Sequence, residues 1–160
     1  AHPHIIESGA VIVPDSQGSG EFCGSPATRV VVKARTNPMT IAGFGDGKVF
    51  PPKGVLGGKS GGPSLGYVLD EQGTRIQELP LIGPCEVKEG HCLEAFTTGG
   101  GGFGEPINRD PERVRADVRR GWVTPEQAYD IFGVVLQFDT ELFTVDYQAT
   151  NKTRSRLSGT

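Results

Sequence analysis

The chain of 160 residues is short of cysteine, with 3, and carries a single methionine and a single tryptophan. So few cysteines, in odd number, argue against the disulfide framework of a small secreted domain and suit a reducing compartment. Long apolar runs are missing as well: no stretch approaches the roughly 20 apolar residues that span a bilayer, and no basic-then-apolar signal segment stands at the front. With 16 Lys and Arg against 19 Asp and Glu, a formal net charge of -3, the balance argues against nucleic-acid or anionic-membrane binding as the main activity, since both depend on a basic surface. Together these absences point to a cytoplasmic protein. The chain begins Ala1-His2-Pro3-His4 without a methionine, which suggests a trimmed start or a position inside a longer polypeptide.

What is abundant is glycine, 24 residues, and proline, 12. With 36% hydrophobic residues the core of a single domain is modest, and such loop-rich chains often lean on a partner. Residues 5–13 and 28–34, rich in β-branched side chains, predict strands; a third begins at Thr40. From Gly43 to Gly66 the glycines, with Pro51, Pro52 and Pro63, suit an extended, polyproline-like or looped path. Short strands then follow over 67–70, 75–82 and 92–96, separated by turns at Asp70-Glu71-Gln72-Gly73 and Lys88-Glu89-Gly90.

Gly99, Gly100, Gly101, Gly102 and Gly104 form a run whose backbone can turn sharply or approach a neighbour closely. Behind it, Asp110 before Pro111 and Glu112 predicts an N-cap with proline at the first helical position; Val114 and Val118 share a face, and Gly121 ends the helix. Thr124, Pro125 and Gln127 repeat the pattern as a capping box, and Gly133 stops the second helix before extended structure resumes at VVLQF. The fold class expected is mostly β (α+β): short strands in a sandwich or barrel-like sheet, glycine/proline-rich loops and a C-terminal pair of short helices. One unit covers 1–138, with the helical pair at 110–133. The tail 139–160 is expected to offer one more strand to a partner through Leu142, Phe143, Val145 and Tyr147 and then dissolve into polar residues, with Lys152, Arg154 and Arg156 solvated or frayed.

Several motifs suggest chemistry and are better explained by structure. Lys59-Ser60 after Gly57-Gly58 resembles a phosphate loop, but GVLGGKS has the wrong spacing and no helix former follows. Gly99, Gly101 and Gly104 satisfy GxGxxG, yet Glu105 and Pro106 stand where a dinucleotide site needs a helix N-terminus. Cys23, Cys85, His91 and Cys92, with His2 and His4, are the soft-metal candidates; without a CxxC pair, and with His91 and Cys92 on opposite faces of a strand, buried or incidental cysteines are favoured. A nucleophilic cysteine is not expected beside Glu86, Glu89 and Glu94. Asp46 in GFGDGK is a turn residue. No residue of this chain is assigned a catalytic, cofactor-binding or metal role; the run at 99–104, Asp110, Pro111, Thr124 and Pro125 are assigned structural ones.

The segment Thr97 to Leu136 resembles the C-terminal signature of the hydantoinase B / 5-oxoprolinase family, in which a glycine run leads into an RDPE helix, a second short helix and a GVVL strand. Pro14-Asp15-Ser16 with Gly18 and Gly20, and Pro51-Pro52 through Gly54, Gly57, Gly58 and Gly62, resemble two further landmarks in the same order. One departure is Phe22-Cys23-Gly24-Ser25, where the family usually has an aromatic residue, an arginine and two glycines. The resemblance implies a small accessory subunit of a multisubunit, ATP-dependent ketone carboxylase, of which acetophenone carboxylase is an example. Such a complex joins a ketone and bicarbonate into a β-keto acid. ATP and a divalent cation are then expected in hydantoinase-A-like partners, beside a larger hydantoinase-B-like subunit. An ATP-dependent hydantoinase or oxoprolinase opening a cyclic amide is the alternative, and a non-enzymatic binding module the third.

Overall fold

The computed structural model describes residues 5–44, 46–139 and 142–159. Five strands form one antiparallel sheet: β1 (Ile5–Ile12), β2 (Thr28–Ala34), β4 (Leu65–Leu69), β5 (Arg75–Glu78) and β7 (Cys92–Phe96), in the order β1-β2-β7-β4-β5. A two-stranded ribbon of β3 (Met39–Phe44) and β6 (Ile82–Val87) is the second layer. Along β6 burial alternates, Cys85 and Val87 inward and Ile82, Pro84 and Glu86 outward, so one face of the ribbon meets the sheet at Ala34 and Val68. The α+β class and the sandwich-like packing of short strands are what the chain adopts; none of the sheets closes into a barrel.

Two sequence expectations need correction. The strand predicted over 75–82 is broken: Pro80, which has no N–H to donate, falls between β5 and β6, and Leu79 N donates instead to Gly66 O at 2.9 Å. Strand β6 runs on through Gly83 to Val87, beyond the predicted strand; Gly83 and Pro84 fit because the ribbon has no third strand and Gly83 adopts φ 123°. The turns between strands hold as expected: Asp70 Oδ1 accepts from Gln72 N and Thr74 N, and His91 N donates to Lys88 O.

The second core lies under the helices. Helix α1 (Pro111–Arg119) and helix α2 (Pro125–Asp130) bury Val114, Val118 and Ala128 with Val123, Phe132 and Val134. Hairpin β8 (Leu136–Asp139) and β9 (Leu142–Val145) covers that cluster through Leu136, Phe143 and Val145.

The tail departs most from expectation. Strand β9 pairs with β8 of the same chain, and Tyr147–Leu157 form an 11-residue helix, α3, rather than a frayed polar end. Asp146 caps it by accepting from Ala149 N at 2.9 Å. Its buried positions are Thr150 and Thr153, so no apolar stripe announced it. Thr150 Oγ1 accepts from Val135 N, while Arg154 donates to the carbonyls of Phe132 and Arg109 at 3.1 and 2.6 Å.

Candidate functional site

Three glycine-rich stretches, 16–25, 52–62 and 97–104, are joined by main-chain hydrogen bonds into one layer. Gly18 N donates to Gly100 O at 2.7 Å, Gly62 N to Ser16 O at 2.8 Å, Lys59 N to Ser19 O at 2.7 Å and Gly102 N to Lys59 O at 2.9 Å. The chains approach so closely that a Cβ on Gly18 would meet the Lys59 carbonyl, one on Gly99 the Ser16 carbonyl, one on Gly101 the Lys53 carbonyl and one on Gly102 the Ser19 carbonyl. Gly100 packs against Ser25 in the same way, and Gly104 turns with φ 74° beside the Glu21 side chain. Backbone proximity, rather than any side chain, is what these glycines supply.

This geometry decides whether the run fits a nucleotide. A phosphate cradle needs free amides, but Gly99 N donates to Gly62 O, Gly100 N to Ser25 O, Gly102 N to Lys59 O and Gly104 N to Val55 O. Lys59 and Ser60 lie in a helix-free stretch, so no helix follows them as a phosphate loop requires. The amides of these four glycines are thus already used within the chain. Metal ligands do not converge either: Cys85 is buried between sheet and ribbon, Cys23 packs on the helical core, and Cys92 lies in β7. Among the described residues no group of His, Cys, Asp and Glu could hold a metal ion; His2 and His4 lie outside them.

The layer is fastened to the helices by polar contacts. Asp15, at φ 59°, accepts from Thr124 N at 2.9 Å and from Thr124 Oγ1 at 2.7 Å, while Thr124 Oγ1 accepts from Gln127 N. Thus the N-cap of α2 is itself held by Asp15, the residue that leads into the first glycine-rich stretch. Pro125, like Pro111, occupies the start of its helix, and Asp110 caps α1 through Glu112 N at 2.9 Å.

Beneath these caps Arg109 and Asp117, both buried, form an ion pair of 2.7 Å, and Arg109 also donates to Glu21 O at 3.0 Å. They border a small, partly open cavity of about 80 Å³ with Gln17, Cys23 and Trp122. Burial pushes the Cys23 thiol up, only partly offset by a backbone hydrogen bond at Gly20 and the nearby Arg109 charge. A thiol kept protonated is a poor nucleophile, so this buried cluster reads as a joint between the helices and the glycine layer. The pair escaped the sequence reading, although a signal existed: Asp117 sits between Val114 and Val118 on the buried face of α1, where a charge requires a partner.

A comparable device braces the sheet. Glu94, buried in β7, binds Arg29 on β2 at 2.6 Å and Arg75 on β5 at 2.8 Å, and Arg75 lies over the Tyr67 ring at 4.2 Å. Burial pushes the Glu94 carboxyl up, but the two guanidiniums outweigh it and hold it below the ordinary value of 4.5.

The glycine layer falls within the profile of the Hydantoinase B/oxoprolinase family, which matches residues 1–106. The chain belongs to that family. Beyond residue 106 the helical pair is covered by similarity to the caprolactamase subunit beta of Pseudomonas jessenii, 34% identical over 151 residues, which are 90% of this chain and 25% of that subunit. The acetophenone carboxylase delta subunit of Aromatoleum aromaticum is 38% identical over 61 residues, 38% of this chain and 9% of that subunit. The crystal structure of the ATP-dependent caprolactamase from Pseudomonas jessenii superposes with a TM-score of 0.74 and 26% identity, over 95% of this chain and 26% of that one. The chain therefore spans about a quarter of the length of the caprolactamase relative, and both relatives named are subunits. Among the described residues no helix is long and apolar enough to cross a membrane.

Proposed function

We propose that this chain completes a hydantoinase-B-like subunit of a cytoplasmic, multisubunit, ATP-dependent enzyme, contributing shape rather than reacting groups. The observation that carries this reading is the closely packed glycine layer: the amides of Gly18, Gly62, Gly99, Gly100, Gly102 and Gly104 are bonded to carbonyls of the same chain, which favours phosphoryl chemistry in hydantoinase-A-like partners, with ATP and a divalent cation. In such a complex phosphorylation turns a carbonyl-derived oxygen into a leaving group.

For the reaction itself, similarity to a caprolactamase subunit over 90% of the chain favours opening of a cyclic amide. Ketone carboxylation, which the motif resemblance alone puts first, is the second reading, supported by the match to the acetophenone carboxylase delta subunit. The two separate by co-reactant. ATP hydrolysis by the purified complex is expected to proceed with a lactam and no bicarbonate; strict dependence on bicarbonate and a ketone would transfer the assignment to the carboxylase. Absence of nucleotide-dependent turnover from every complex containing the chain would overturn both.

A further inference from the structure

One surface remains without a role. Phe103 bridges Phe22 on one side and Val55 on the other, with Phe22 N to Phe103 O at 3.0 Å, Phe103 N to Phe22 O at 2.9 Å and Val55 N to Gly102 O at 2.9 Å. Residues paired across adjacent extended segments project to the same side, and the two phenyl rings stand 6.3 Å apart between centroids. Phe22, Phe103 and Val55 are 51%, 48% and 55% exposed, and Leu56, next in line with φ 51°, is 72% exposed. The layer beneath is glycine backbone packed tightly against itself, so it offers no side-chain core into which these groups could turn.

We propose that this apolar row is the seat of the part of a hydantoinase-B-like polypeptide that this chain does not span. The inference rests on the function proposed above and adds the surface through which it is exercised. Two observations select that occupant. The fold unit is matched over 95% of its length inside a caprolactamase chain of which it forms only 26%, so in that relative the other three quarters of the chain is further polypeptide continuous with the unit. The row also has the make-up of an interface centre: two aromatic rings and two aliphatic side chains at the middle, with Glu21, Asn108, Asp110 and Arg113 as a polar margin beside Phe22.

The test is capture of the full tagged chain from its native host, comparing wild type with the double variant Phe22→Asp/Phe103→Asp, the partner being identified by mass spectrometry. Wild type is expected to retain a hydantoinase-B-like polypeptide. The double variant, with unchanged circular dichroism and thermal midpoint, is expected to lose it by about 100-fold in affinity, as two central aromatic anchors imply. Phe22→Leu/Phe103→Leu, which keeps the row apolar, and Ile76→Asp, an exposed site on β5, are expected to retain it. Equal retention by wild type and the Asp variant overturns the surface while leaving the proposed function standing. Failure of wild type to retain such a polypeptide, or its pairing only with a second copy of itself, overturns the function and the surface together. A double variant that does not fold is replaced by Val55→Asp, whose loss of the partner supports the seat and whose retention contradicts it.

Discussion

The glycine layer and the helical unit hold together by opposite means. In the layer, peptide groups of 16–25, 52–62 and 97–104 bond directly to one another and the space between them is closed to any Cβ. In the helical unit, side chains of α1, α2 and the β8–β9 hairpin fill a core around Phe132, Val114 and Val134. Cohesion built from main chain tolerates no added atom, because a clash with a carbonyl is relieved only by moving the segment. Cohesion built from side chains yields in proportion to the volume removed. The difference teaches where the chain is brittle and where it is forgiving.

The strongest way to break the contrast is Gly101→Val. Its Cβ would meet the Lys53 carbonyl, so the expected outcome is loss of the folded state, beyond about 4 kcal/mol, seen in soluble yield and thermal unfolding. Normal thermal stability together with an intact complex in native mass spectrometry would refute the layer's role. Gly73→Ala sharpens it: at φ 83° with open space around it, this turn glycine should cost only about 1 kcal/mol.

On the helical side, Phe132→Ala is expected to destabilise by about 3–5 kcal/mol in denaturant titration, graded rather than abolishing. A loss below about 1 kcal/mol would mean that the helical core is not held by this ring. Arg154→Ala comes next, at about 1–3 kcal/mol, since the Phe132 and Arg109 carbonyls each lose a charged donor. No change at all would return the tail to a frayed terminus.

A smaller effect than those of the helical side concerns the sheet. Because Glu94 is held below its ordinary value of 4.5, its contribution is fully present above about pH 4.5 and is lost as pH falls through the depressed folded value. Wild type should therefore lose stability on acidification through that window. Glu94→Gln should lack that part of the slope and be weaker at neutral pH by about 1–2 kcal/mol, since its arginine partners are half exposed. Parallel stability–pH curves for the two proteins would contradict the assignment.

Legibility in the sequence follows the same division. The helical pair was readable because its signals are local: Asp110-Pro111 and Thr124-Pro125 each place a cap and a proline within two residues. The joint between helices and layer was not, because Asp15 meets Thr124 across 109 positions. Helix α3 was hidden by a buried face made of threonines, and β6 carries a glycine and a proline, residues with little strand preference. The glycine run at 99–104 was recognisable as backbone-driven, yet which carbonyls it would face depended on the fold.

The central claim is that this chain is the completing piece of a larger hydantoinase-B-like subunit. Its most direct test is the native mass of the chain purified gently from its host. The account predicts a complex far heavier than the 17.0 kDa chain, containing hydantoinase-B-like and hydantoinase-A-like polypeptides. A stable, folded monomer of 17.0 kDa with no associated polypeptide would contradict it.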